Sequence, residues 1–140
     1  MKAVVIGGTK GIGKEMVRLM ADRGDTLFLL GRNMDDLARS SADLQARSGK
    51  PIAGYALCDM LCPDQFAPAL AEADTALNRF DTVIISAGLL YRQDTDHDDP
   101  VKMGQMLAVN CSNTILFAEA ARKRLLANGG GKLCILSSIA

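Results

Sequence analysis

Five short apolar runs, each separated from the next by a longer stretch of helical spacing, constrain this chain more than any other feature. The runs are Ala3 to Ile6, Thr26 to Leu30, Ile52 to Leu57, Thr82 to Ser86 and Leu133 to Ser137. They are continuous rather than alternating, so each predicts a strand buried on both faces. Between them, Ile12, Met16, Leu19 and Met20 recur at helical spacing, with Gly24 as a stop. Leu37 and Leu44 mark a second helix, closed by Gly49 and Pro51; Phe66, Leu70, Ala73 and Leu77 mark a third. A fourth segment starts after Pro100 and runs to Asn128-Gly129-Gly130-Gly131. Strand and helix in alternation imply an α/β chain with a parallel sheet, and right-handed crossovers make it doubly wound. Ligands of such sheets bind beyond the carboxyl ends of the strands, near the point where strand order reverses. The residues that follow each strand are therefore the place to look for function.

Composition narrows the class of partner. Sixteen basic side chains balance sixteen acidic ones, which leaves no basic face for nucleic acid and no cationic helix for a membrane surface. No stretch approaches the roughly 20 apolar residues of a bilayer span, and the opening lacks the apolar core of a secretory signal. The expectation is a cytoplasmic protein. Cys58, Cys62, Cys111 and Cys134 do not form a disulfide framework in such a context. Cys58 and Cys62 have no second pair, and the only histidine, His97, lies in a polar loop, so no metal site is expected.

The fourth helical segment has no charged side chain from Leu107 to Ala118. A helix apolar nearly all round is covered on more than one side. The cover comes either from additional chain or a second subunit, or from the domain itself if the helix is fully internal. Both readings are open at this level.

The loop after the first run, "GGTKGIGKE", poses a choice between two phosphate ligands. From Gly8 it reads G-x-x-x-x-G-K-E, one residue away from a triphosphate loop. That loop needs Ser or Thr after the lysine to hold magnesium, and here Glu15 stands there. No apolar strand ends in an aspartate for the metal either. A nucleotide phosphatase or kinase is thus disfavoured. From Gly7 the same loop reads G-x-x-x-G-x-G, with Gly7, Gly11 and Gly13 leading from a first strand into a first helix. Glycines let the backbone turn and approach a pyrophosphate, whose charge meets free amides at the helix start. Where such a fold selects NAD, an acid about 20 residues beyond the loop takes the ribose hydroxyl. Here "LLGRN" places Gly31 and Arg32 at the second strand's end, and a guanidinium grips a phosphate with two prongs. Lys10 adds a second positive charge. The reading is NADP over NAD; the alternative is that Arg32 is a surface charge.

In this order, the residues resemble the short-chain dehydrogenase/reductase family, whose fold is Rossmann-like. "GGTKGIG" is similar to its cofactor loop, with Ile6 where threonine is usual, and would place Gly7, Thr9, Lys10, Gly11, Ile12 and Gly13 against the cofactor. "CDM" resembles the acid-containing segment after the third strand, where Asp59 would meet adenine. "SAG" resembles the family's Asn-Asn-Ala-Gly, with Ile85 and Ser86 in place of the asparagines and Ala87 and Gly88 kept. "LAVNCSN" resembles the fourth-helix motif, which makes Asn110 the structural and proton-relay asparagine. "ILSSIA" resembles the strand that carries the catalytic serine, aligned here on Ser138.

The resemblance implies hydride transfer between NADP(H) and a small-molecule carbonyl or alcohol, and a homo-oligomer formed through the fourth helix. It also implies a Tyr-x-x-x-Lys pair after the serine strand. Residues 1–140 hold no such pair, because Tyr55 and Tyr91 are followed four residues later by Asp59 and Thr95. Residues 1–140 are thus expected to form one Rossmann domain, truncated after its fifth strand. A non-catalytic dinucleotide-binding or sensing protein is the alternative. Two further patterns fail: the acids at 94, 96 and 98 lack a calcium loop's sixth glycine and twelfth glutamate, and Ser138 has no G-x-S-x-G turn. A polypeptide of residues 1–140 alone is predicted to show no turnover of a ketone panel with NADPH. Robust turnover lost on Ser138→Ala would contradict this.

Overall fold

The computed structural model describes residues 1–91 and 99–137. Its strands are β1 (Lys2–Ile6), β2 (Thr26–Gly31), β3 (Gly54–Leu57), β4 (Thr82–Ile85) and β5 (Lys132–Ile135). Its helices are α1 (Gly11–Asp22), α2 (Met34–Ser48), α3 (Phe66–Leu77), α4 (Pro100–Leu107) and α5 (Asn113–Ala127). A short 3-10 turn, Pro63–Gln65, precedes α3, and a π-helical turn, Ala108–Ser112, joins α4 to α5. The strands form one parallel sheet in the order β3-β2-β1-β4-β5. The chain winds outward from β1 to β3, then crosses back to set β4 on the other side of β1. The reversal point therefore lies between β1 and β4.

Both faces of the sheet are covered over β1, β2 and β4, as continuous apolar strands require, whereas β3 is partly buried and β5, expected to be buried on both faces, is exposed at the edge. Val4 and Ile6 of β1 and Phe28 and Leu30 of β2 face α3 and α5, where they meet Phe66, Leu70, Phe117 and Ala121. Their alternates Ala3, Val5, Leu27 and Leu29 face α1 and α2 and meet Val17, Met20, Leu37 and Leu44. On the first face Phe66 and Phe117 pack edge to face with ring centroids 5.2 Å apart. Across the second, Arg18 of α1 grips Asp43 of α2 with two hydrogen bonds, 2.8 and 3.2 Å.

Helix ends follow from local chemistry. The Asn33 side chain caps α2 by accepting from the Asp36 N–H, Asp35 and Asp36 favour its positive end, and Gly49 at φ 68° closes it. Asp99 caps α4 by accepting from Val101 and Lys102, with Pro100 at the first helical position. The structure also answers the question raised by the uncharged stretch. Val109, Asn113, Thr114 and Phe117 are buried against the sheet, but Leu107, Ile115 and Leu116 are more than half exposed. The helix is not internal to the described residues; one apolar side is open. β5 lies at the edge of the sheet, and all four of its residues are exposed.

Phe117 is fully buried. Phe117→Ala is predicted to lower unfolding free energy by about 3–5 kcal/mol, the usual cost of emptying such a site. Urea denaturation of the two proteins checks it.

Candidate functional site

Backbone hydrogen bonds carry the sheet beyond its formal ends and fix four loops side by side. Gly7 N–H donates to Leu30 O, Cys58 N–H to Gly31 O and Ser86 N–H to Ile6 O, at 3.2, 2.9 and 2.9 Å. The loops enclose a cleft of about 210 Å³ at the reversal point. Gly7, Thr9 and Lys10 line it from β1, and Gly31 and Arg32 from β2. Cys58, Asp59 and Met60 line it from β3, and Ser86, Ala87 and Gly88 from β4.

Two of the loop glycines are sterically required. A Cβ on Gly7, whose φ is +87°, would lie 2.5 Å from Ala87 N, and one on Gly13 would lie 2.1 Å from Gly7 O. Backbone packs on backbone there, and α1 begins directly beside the cleft. Its start has no capping side chain and no acid in the first turn, so the amides of Gly11, Ile12 and Gly13 are left without side-chain acceptors. Uncapped amides at a helix start, reached through a glycine turn, suit a dinucleotide's pyrophosphate. The residues present fit a nicotinamide dinucleotide.

The predicted residues divide into groups. Gly7, Thr9, Lys10, Arg32, Asp59, Ala87 and Gly88 surround the cleft. Gly13 lies behind it as packing, while Gly11 and the exposed Ile12 side chain border a different groove. That groove, about 910 Å³, runs along the outer flank of α1 between Ile12, Met16, Leu19 and Ile84. It is larger, but its walls are mostly apolar and it lies away from the strand ends, so the smaller cleft is the candidate site. Ser138 lies outside the described residues, as do His97 and the acids at 94, 96 and 98.

Asp59 has two jobs available. Its Oδ1 accepts from Leu61 N–H at 2.9 Å, which makes the turn, and its second carboxylate oxygen has no partner among the described residues. Gln65 supports it from below by accepting the Asp59 N–H at 2.9 Å. Arg32 is exposed and makes no ion pair or hydrogen bond with a described residue. Lys10 is paired with Asp36 at 2.9 Å.

Asn110 sits in the π-helical turn and spends its whole carboxamide on one residue. Its Oδ1 accepts from Leu89 N–H at 2.8 Å and its Nδ2 donates to Leu89 O at 2.7 Å. The helix is widened there because Asn113 N–H donates to Ala108 O, five residues back, and the Thr114 hydroxyl caps Val109 O at 2.8 Å. Asn113, which the sequence reading missed, is buried and donates to Met60 O at 2.7 Å. Two asparagines thus tie the fourth helical segment to the cleft's β4 and β3 walls. A polar residue in an uncharged helical stretch was the available signal.

The fold and cleft define a class first: a doubly wound domain with a dinucleotide cradle at its reversal point. The sequence then gives the family. The short chain dehydrogenase family model matches residues 1–140, and the chain belongs to that family, whose members use nicotinamide dinucleotides. It is 27% identical over 139 residues to a tropinone reductase homolog of Arabidopsis thaliana, covering 99% of this chain and 52% of that protein. It is 28% identical over 137 residues to the galactitol 2-dehydrogenase (L-tagatose-forming) of Cereibacter sphaeroides, covering 98% and 52%. A short-chain type dehydrogenase/reductase structure from Mycobacterium ulcerans superposes with a TM-score of 0.88 at 27% identity, covering 99% of this chain and 51% of that one. The chain spans about half the length of the curated relatives it matches. No helix among the described residues is long and apolar enough to cross a membrane.

Burial, and then the neighbouring Asp59 charge, pushes the Cys58 thiol up to about 12. The neutral form therefore persists in the folded state across ordinary pH. At pH 8 iodoacetamide is predicted to leave Cys58 unmodified in the folded protein and to label it in urea. Mass spectrometry of the peptide reads the outcome.

Proposed function

We propose that this chain is the cofactor-binding part of an NADP(H)-dependent oxidoreductase acting on a small-molecule carbonyl or alcohol. One observation carries the reading. The end of β2 offers Arg32, without an ion-pair partner among the described residues, where selection of NAD would call for an acid, and this guanidinium borders the same cleft as the glycine turn into α1. A nicotinamide dinucleotide held there would supply hydride-transfer chemistry.

The chain's own residues bind and orient. The amides of Gly11, Ile12 and Gly13 would receive the pyrophosphate, and Gly7 and Gly13 let the turn and α1 pack against the end of β4. Arg32, with Lys10, receives the additional phosphate of the adenosine ribose. The Asp59 carboxylate oxygen that has no partner among the described residues would take the adenine amino group, and the Ala87–Gly88 backbone would border the ribose. Asn110 acts by holding Leu89, which continues that wall of the cleft, so its first role is positioning. Ser138 takes the family's serine role and would hold the substrate oxygen. The proton belongs to a Tyr-Lys pair that residues 1–140 do not contain. Similarity to a reductase homolog and a polyol dehydrogenase supports the carbonyl/alcohol class. The open side at Leu107, Ile115 and Leu116 supports a homo-oligomer formed through the fourth helical segment. A cytoplasmic location fits a nicotinamide-dependent enzyme.

Arg32→Ala is predicted to weaken NADPH binding about ten- to a hundredfold, the worth of a lost charge-assisted contact, and to leave NADH nearly unchanged. Fluorescence titration of both cofactors checks it. Equal loss for both, or none for either, would contradict the role.

A further inference from the structure

The rim of the cleft carries an interaction that the reading above leaves unused. Lys10 is the only cation in the glycine turn. Its Nζ reaches across the surface to Asp36 Oδ2, 2.9 Å away in the first turn of α2. The lysine side chain is 78% exposed and that of Asp36 16%. The other oxygen of Asp36 takes the guanidinium of Arg39, one helical turn on. These two partners, Lys10 first, hold the Asp36 carboxyl below the usual carboxylate range, so it stays charged well into acid. Arg32 has no such partner among the described residues. Of the two cations that line the ribose end of the cleft, Arg32 has no ion-pair partner among the described residues, and Lys10 is already matched by an anion of the protein itself.

An exposed ion pair of this kind is weak and exchanges readily. A phosphate dianion is a stronger acceptor for an ammonium than a carboxylate is. The exchange nevertheless has a cost. When Lys10 turns to the phosphate, Asp36 loses a partner, and its negative charge remains within a Debye length of about 8 Å, where like charges still repel.

We propose that Asp36 is a specificity-determining residue, whose carboxylate stands in for the ribose phosphate on Lys10 and thereby narrows the preference for NADP that Arg32 creates. NADP must take Lys10 away from Asp36, whereas NAD leaves the pair intact. The inference rests on the cofactor reading proposed above and adds to it a residue that touches neither cofactor.

The test uses the intact protein, wild type and Asp36→Asn, titrated with NADPH and NADH. The adenosine half is probed separately with 2′,5′-ADP and 5′-AMP. Asp36→Asn is expected to tighten NADPH and 2′,5′-ADP about five- to tenfold at low salt. NADH and 5′-AMP should move less than about twofold, and the gain should shrink as salt rises. In a Lys10→Met background the gain should vanish, because Asp36 acts through that lysine. Asp35→Asn makes the same charge change beside a residue that Lys10 does not contact, and should give a smaller effect. Asp36→Ser serves as the second variant if loss of the first-turn acid lowers the Tm of Asp36→Asn. Unchanged or weaker NADPH binding in a folded Asp36 variant overturns the inference, as does an equal gain in Asp35→Asn. If the wild type binds neither dinucleotide, the cofactor reading fails and the inference falls with it. If the wild type binds both and the Asp36 variants do not differ from it, the inference alone fails.

Discussion

At the end of β1 two backbone segments lie closer than any side chain permits. The Cβ positions of Gly7 and Gly13 are filled by Ala87 N and Gly7 O. Because β4 ends against that turn, α1 can begin immediately beside the sheet, with Gly13 packed on Gly7 and Ser86 of the cleft wall. The cleft therefore depends on missing atoms as much as on present ones. A methyl group at either position would push the turn away from β4 and separate the walls of the cleft.

Much of this was legible in the sequence. The five apolar runs became the five strands, because a continuous apolar run has no polar alternates to confuse the pattern; burial on both faces holds for β1, β2 and β4 but not for the edge strand β5. Their limits shifted by a residue or two: β3 starts at Gly54 rather than Ile52, after the break imposed by Pro51. The cleft residues were also legible, since each follows a strand. Less visible was everything set by contacts across long sequence separations. Lys10 and Arg32 read alike as free cations until the fold brought Asp36 onto one of them. The π-helical turn has no local signature. It reflects side-chain ties from Asn110 to Leu89 and from Asn113 to Met60, 21 and 53 residues away. Ser138 was legible as a motif, but the described residues end just before it.

The fourth helical segment shows how one element serves two masters. Its buried side packs Phe117 and Ala121 on the sheet, while Asn110 and Asn113 each fasten one wall of the cleft. An extra residue in the helical turn lets both asparagines point usefully without losing the apolar register that follows.

The exposed edge at β5 has its own consequence. Leu133, Ile135 and Leu136 are open to solvent beside a row of backbone groups with no neighbouring strand among the described residues, and Lys132 is the only charge along that run. Such an edge recruits strands from other molecules. In a polypeptide of residues 1–140 handled alone, solubility would hinge on how that border is covered.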